Sequence, residues 1–107
     1  MADEPVDMEV LCIQMIVAAG SAKSDYMEAL QAAKAGDYET AEAKMKSGDE
    51  NYAVGHEHHA RMVQQEAVGD PVTMTLLLTH VEDQMMSTET IKTMVTELID
   101  LYKKVNA

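Results

Sequence analysis

Several residue types are missing or scarce in this chain of 107 residues, and each absence narrows its possible functions. Phe and Trp are absent, and the one cysteine, Cys12, excludes a disulfide within the chain and gives no sign of an oxidising compartment. Apolar residues form no run of about 18, the length that a membrane-spanning helix needs. Basic residues are few: eight Lys and Arg stand against 19 Asp and Glu, for a net charge of -11, which disfavours nucleic acid and anionic lipid as partners.

The residues that are abundant favour helices. The chain contains ten Met and many Ala, Glu, Gln and Leu, which are good helix formers, and its length suits one domain. The N-terminus is acidic, where a signal peptide would be basic. We therefore expect an all-α, cytoplasmic, soluble protein without direct membrane insertion, in which a mobile tail at residues 1–7 precedes one three-helix domain at residues 8–107.

The first helix is predicted from the helical spacing of its apolar residues, which begins near Pro5 or Val6 and continues to Ala35. Cys12 falls within this apolar pattern and is expected to be a small core residue. The apolar stripe of this helix consists of Val10, Ile13 and Val17, broadened by Leu11 and Met15.

A turn at Ala35-Gly36-Asp37 is predicted next, because glycine suits the left-handed position after a helix and Asp caps the following one. The second helix is expected from about Tyr38 to Ala67. It contains Gly48 and Gly55, each unfavourable in a helix by about 1 kcal/mol relative to Ala. A break at Gly48 would make the chain a four-helix protein, but no proline or cluster of turn residues completes that break, so one long helix is preferred.

The third helix is predicted to begin with Asp70 as its N-cap and Pro71 in its first turn, and to run to about Lys104, roughly 50 Å. Three long helices joined by short turns form an antiparallel up-down-up bundle. The apolar face of the third helix is wider than two partner helices need. It therefore predicts self-association through this helix, along the apolar run Ile91, Val95, Leu98, Tyr102 and Val105.

A histidine and a carboxylate interrupt that apolar face. His80, Asp83, Gln84 and Ser87 lie on the same side of the predicted helix as a run of apolar residues, while Glu82 points to the opposite side. A buried, unpaired Asp is unfavourable by several kcal/mol, so Asp83 needs a donor, a cation or a proton there. A hydrogen-bonded core histidine is the simpler interpretation of His80, and a reactive histidine is the other.

The segment His56-Glu57-His58-His59 is the second candidate site. On a helix His56 and His59 share a side and His58 turns away, so at most two ligands converge. Two histidines suit a divalent metal but form a weak signal without a third ligand. A solvated polar face and a supporting role beside His80 are the alternatives.

Several segments together resemble a known family, and the resemblance covers nearly the whole chain after about residue 8. The segments are Gly20-Ser21-Ala22-Lys23-Ser24, residues 29–38, His56, His80-Val81-Glu82-Asp83-Gln84-Met85-Met86 and Glu97-Leu98-Ile99-Asp100-Leu101-Tyr102. In order and spacing they resemble the enzyme IIA component of the lactose/cellobiose (chitobiose) type phosphotransferase system.

The resemblance implies a phosphocarrier built as a trimer of three-helix subunits. It implies that His80 takes a phosphoryl group from phospho-HPr and passes it to a cysteine of the IIB component, and through it serves the membrane IIC component, during uptake of a β-linked disaccharide such as lactose, cellobiose or chitobiose. It also implies that Asp83 meets its copies around one Mg²⁺ per trimer. His56, His59 and Gln84 are expected to support His80.

The chain departs from the family pattern His-Ala-Gln-Asp-His-Leu-Met at three places, where Val81, Glu82 and Gln84 replace the Ala, the Gln and the second His. A family glutamine also falls at His59. A glutamate beside the phosphorylated residue raises the local negative charge unless it points away. The alternative function is a non-enzymatic metal-binding or structural helical bundle.

Overall fold

The computed structural model describes residues 7–107, which fold into the helices α1 (Met8–Lys34), α2 (Tyr38–Ala67) and α3 (Leu76–Val105). The helices run up, down and up in a bundle that measures 54 × 23 × 22 Å. No strand occurs within this range, and none of the described helices is long and apolar enough to cross a membrane. The predicted all-α, antiparallel three-helix fold is confirmed.

Asp7 determines where α1 begins. Its backbone is extended, and its carboxylate accepts hydrogen bonds from the N–H groups of Glu9 (3.1 Å) and Val10 (3.3 Å), which have no acceptor within the helix. The first helix therefore begins at Met8, slightly later than predicted. The rest of the tail predicted at residues 1–7, and the predicted start at Pro5 or Val6, lie outside the described residues.

The turn between α1 and α2 forms as predicted. Gly36 has a φ of 80°, and its N–H donates to the Ala33 carbonyl at 3.0 Å. The Asp37 carboxylate then caps α2 by accepting from the Thr40 N–H at 3.1 Å. Hydrogen bonding of Thr40 to the Asp37 carboxylate holds the pKa of Asp37 below its usual value.

α2 is continuous through both of its glycines, so the four-helix alternative is wrong. Gly48 and Gly55 are buried, and each faces a large side chain. A Cβ added at Gly48 would lie 2.5 Å from Cε1 of Tyr26, and one added at Gly55 would lie 3.0 Å from Sδ of Met85. The two glycines therefore provide space for the side chains of the neighbouring helices.

Gly48→Ala is expected to lower the free energy of unfolding by about 1–3 kcal/mol, because the new methyl group enters the space of the Tyr26 ring, which is buried. This loss exceeds the gain of about 1 kcal/mol in helix propensity. Urea unfolding followed by circular dichroism measures the change in the free energy of unfolding. Gly20→Ala is the matched control: its added Cβ meets nothing within 4 Å, so it should stabilise by about 0.5–1 kcal/mol. Equal gains in the two variants would contradict the steric argument.

α3 begins at Leu76, five residues later than Pro71, so the predicted cap at Asp70 is wrong. Gly69 has a φ of 93°, and the Asp70 N–H donates to the Gln65 carbonyl at 3.1 Å. These residues therefore complete the C-terminal end of α2, and the residues that follow Asp70 do not continue into a helix. The chain continues without regular structure to Thr75, and α3 is about 45 Å long.

The core is centred on α1, which packs against both other helices, whereas α2 and α3 approach each other at few places. Of the stripe predicted for α1, Met15 is buried, but Val10, Ile13 and Val17 are 48%, 49% and 61% exposed, so these three residues do not belong to the core face. The buried side of α1 is mostly small, which allows close helix packing. It consists of Cys12, Met15, Ala18, Ala19, Ala22, Tyr26, Ala29 and Ala33. Burial raises the pKa of the Cys12 thiol, as fits the predicted core position.

α3 has two apolar faces. One packs in the bundle and consists of Leu78, Val81, Met85, Thr88, Val95 and Ile99. On the other, which we call the outer face, Leu76, Met94, Leu101 and Val105 are 88%, 55%, 54% and 71% exposed. The apolar surface of α3 is thus wider than one bundle covers, as predicted. The predicted self-association run is wrong as the exposed face, however, because Val95 is buried in the core and Ile91 and Tyr102 pack against it.

Candidate functional site

His80 lies exposed in the second turn of α3. Thr75 caps this helix: its hydroxyl accepts from the Leu78 N–H at 3.0 Å, and its carbonyl accepts from the Thr79 N–H and hydroxyl, each at 2.9 Å. Helical side chains lean toward the N-terminus, so the His80 imidazole lies beside the first turn, where N–H groups lack acceptors within the helix. The positive end of the helix dipole favours an anionic group there.

Asp83 and Gln84 follow His80 by one turn on the same side of α3, Asp83 exposed and Gln84 half-buried. Asp83 and His80 thus belong to the outer face with Leu76 and Met94. The alternative in which His80 is a hydrogen-bonded core residue is wrong for the single chain. The Asp83 carboxylate is hydrated here and becomes unfavourable only where another molecule covers this face.

Glu82 points away from His80, as the helical projection predicts, and contacts α2. Its two carboxylate oxygens lie 2.7 and 2.8 Å from Nε2 of His59. The side chains of His59 and Glu82 are 22% and 39% exposed. Two positions at which the chain departs from the family pattern therefore contact each other. Sequence reasoning missed this pair because the two residues lie on different helices.

The remaining α2 histidines have other surroundings. His56 stacks on the Tyr52 ring with a centroid distance of 6.0 Å. His58 lies on the α1 side of the bundle, beside Ile13 and Gln14. Within the described residues, the structure pairs His59 with Glu82 and His56 with Tyr52 rather than with His80. Of the predicted supporting residues, Gln84 is the helical neighbour of His80.

One chain does not complete a metal site among residues 7–107, where no three His, Cys, Asp or Glu side chains converge in a suitable group. His56 and His59 consequently have no third ligand from the same chain. Asp83 offers one exposed carboxylate per chain. Copies of Asp83 from several chains could supply the oxygen ligands that a hard cation such as Mg²⁺ prefers.

A groove of about 380 Å³ between α2 and α3 contains a polar cluster that the sequence analysis missed. The Tyr26 hydroxyl donates to Asp49 at 2.6 Å, and the Lys92 ammonium lies 2.9 Å from the same carboxylate. Burial raises the pKa of Asp49, but the Tyr26 hydrogen bond and the Lys92 charge outweigh burial, so this pKa lies below its usual value. The feature of the sequence that could have indicated this cluster is Gly48, which allows the close approach of Tyr26.

The lowered pKa of Asp49 predicts a loss of stability in acid. The stabilisation is complete above the ordinary value of 3.8 and disappears as the pH falls through the lowered value, where Asp49 is protonated. Asp49→Asn removes this ionisation while keeping an oxygen for the Tyr26 hydroxyl. Thermal melts between pH 7 and pH 2 should show a smaller acid-dependent loss in Asp49→Asn. Parallel curves for variant and wild type would assign the acid sensitivity to other carboxylates.

The comparison with protein families identifies one matching family, described as "PTS system, Lactose/Cellobiose specific IIA subunit", over residues 10–103. Among characterised proteins, the chain is similar to the lichenan-specific phosphotransferase enzyme IIA component of Bacillus subtilis (strain 168). The two are 38% identical over 99 residues, which cover 92% of this chain and 90% of that protein.

Several solved structures are similar to this fold. The cellobiose-specific enzyme IIA of Bacillus anthracis matches with a TM-score of 0.89 and 34% identity, covering 99% of this chain and 97% of that one. The IIA(Chitobiose)–HPr complex of the N,N'-diacetylchitobiose branch of the Escherichia coli phosphotransferase system matches with a TM-score of 0.77 and 27% identity. That match covers 96% of this chain and all of the matched chain.

Proposed function

Because the chain belongs to the lactose/cellobiose-specific IIA family of the sugar phosphotransferase system, we propose that it is a phosphocarrier with His80 as its phosphorylated residue. The observation that carries the proposal is the placement of His80, an exposed imidazole beside the open N-terminal turn of α3. Imidazole is a nucleophile at neutral pH, and the helix end favours the negative charge that a phosphoryl group brings.

In the proposed reaction, a ring nitrogen of His80 attacks the phosphorus of phospho-HPr. The new N–P bond forms as the bond between phosphorus and the donor breaks. The phosphoryl group then passes to a cysteine of a IIB component, which serves a membrane IIC component. The IIA(Chitobiose)–HPr complex among the similar structures supports HPr as the donor. A β-linked disaccharide is the proposed cargo of the system, and the cytoplasm is the proposed location of the carrier.

The test is incubation with phosphoenolpyruvate, enzyme I and HPr, followed by intact mass measurement. One added phosphoryl group, lost on mild acid treatment, is expected. Omitting HPr is the control and should leave the mass unchanged. An unmodified chain in the complete mixture would overturn the proposal and favour a structural or metal-binding bundle.

We also propose that three copies associate through the outer face of α3. Its exposed apolar side chains, among them Leu76 and Leu101, would be removed from water in such an assembly. Three Asp83 carboxylates would then approach one another and could hold one Mg²⁺, which supplies positive charge against their repulsion.

Sedimentation equilibrium is expected to report about three times the chain mass of 11.8 kDa. Leu101→Asp should shift the protein toward monomer, because it places a charge within the proposed interface. Leu101→Met conserves the apolar character and should keep the assembly. A stable wild-type monomer at micromolar concentration would overturn the trimer.

A further inference from the structure

The contact between His59 and Glu82 joins α2 to α3 at the end of the bundle that carries His80. One ring nitrogen, Nε2 of His59, lies within 2.8 Å of both Glu82 oxygens. A carboxylate only accepts hydrogen bonds, so His59 donates its Nε2 proton to it. Both side chains are partly withdrawn from water, which strengthens the interaction relative to a fully exposed pair.

Few side-chain contacts connect these two helices. Elsewhere along the interface, the Tyr52 hydroxyl donates to the Met85 carbonyl at 3.1 Å, and Lys92 pairs with Asp49 across the groove. Both of these contacts lie farther along α3 from His80. The Glu82 contact is therefore the polar side-chain contact with α2 that lies nearest to His80 along α3, beside the core packing of Leu78 and Val81 with Met62.

The contact between His59 and Glu82 also affects the position of the Glu82 negative charge relative to His80. Glu82 shares a helical turn with His80 and Asp83, in a chain whose net charge is already -11. A carboxylate without a partner on this turn would raise the energy of an anion arriving at His80. His59 donates a hydrogen bond to the Glu82 carboxylate on the side of α3 that is turned away from His80.

We propose that His59 is a positioning residue for phosphoryl transfer to His80. It holds the Glu82 carboxylate against α2, where the hydrogen bond from Nε2 directs that negative charge away from His80. His59 acts through Glu82 and touches no reacting atom. This inference rests on the proposed phosphocarrier function and adds a residue on a second helix to the single histidine that the function requires.

The test measures initial rates of phosphorylation by phospho-HPr at 25 °C. His59→Leu removes the donor with a side chain of similar size. We expect kcat to fall about threefold to tenfold, the effect of uncovering one charge within about 10 Å of a transferring anion, with KM unchanged. Adding Glu82→Gln to His59→Leu removes the uncovered charge and should restore kcat to within about twofold of wild type.

Lys44→Leu is the matched control, because it breaks another contact between helices, the 3.2 Å pair of Lys44 with Glu28 on α1, away from His80. Its kcat should equal that of the wild type. A purely structural role for His59 would lower the melting temperature and leave kcat at 25 °C unchanged. If His59→Leu does not fold, His59→Ala, which also lacks a donor, takes its place with the same measurements.

Three results would overturn the inference: a kcat for the His59 variant within twofold of wild type, a loss confined to KM, or a double variant as slow as the single one. Wild type and His80→Gln are measured in parallel. Absence of phosphorylation in the wild type would overturn the proposed function itself. Phosphorylation of wild type at His80, together with an unaffected His59 variant, would overturn the positioning role alone.

Discussion

His80→Gln is expected to take up no phosphate from phospho-HPr, a loss of about a thousandfold or more, while its helical content stays that of the wild type. The amide of Gln is not a nucleophile, so no covalent intermediate forms. His80 is exposed, and a surface substitution of similar size changes the free energy of unfolding by about 0.5 kcal/mol or less. Intact mass after incubation with the donor system measures the first effect, and circular dichroism the second.

His56→Gln and His58→Gln are the matched controls, because they make the same substitution on α2, where His56 stacks on Tyr52 and His58 lies beside Ile13. Both should retain one phosphoryl group per chain. Phosphate that persists in His80→Gln would move the site to another histidine, His56 or His59.

Asp83→Leu is expected to yield an assembly that melts at the same or a higher temperature and no longer responds to Mg²⁺ or to chelator. If copies of Asp83 converge, their repulsion destabilises the assembly unless an ion or shared protons offset it. Replacing buried charges with packed apolar groups is often neutral or stabilising by about 1–4 kcal/mol. If such an ion holds the helix that positions His80, phosphate uptake should fall as well. Thermal melts with Mg²⁺ and with chelator measure the change.

Asp100→Leu makes the same substitution on another side of α3, where Asp100 pairs with Lys104 at 3.3 Å. It should lose this exposed pair and keep the response to Mg²⁺. Dissociation of Asp83→Leu into monomers would show that Asp83 makes an essential attractive contact, and the picture of converging carboxylates would then be dropped.

Features that depend on neighbours in the chain were determined by the sequence itself. The turn at Gly36 and Asp37 and both ends of α2 lie where the residues predict them. Capping groups and left-handed glycines act within a few residues, so their effects can be recognised locally. That Glu82 points away from His80 follows in the same way from the helical repeat. The family resemblance, confirmed by the comparisons, identified the candidate histidine.

The tertiary structure alone decided which of several possible faces is buried. On α1, small side chains such as Ala19 and Ala22 pack against the neighbouring helices, while the more hydrophobic Ile13 and Val17 stay exposed. Hydrophobicity measures the tendency of one residue to leave water, whereas burial also depends on how closely two helix surfaces approach. The same holds for Gly48, which is favourable in α2 because the ring of Tyr26 on α1 packs against it.

The surroundings of the candidate site were likewise decided in three dimensions. Between α2 and α3, Gly69 and Asp70 complete the C-terminal end of α2, and α3 begins only after Thr75, whose hydroxyl caps it. The contact of His59 with Glu82 joins residues 23 positions apart in the sequence. No local pattern specifies such a pair, because its distance depends on how two separate helices pack on α1.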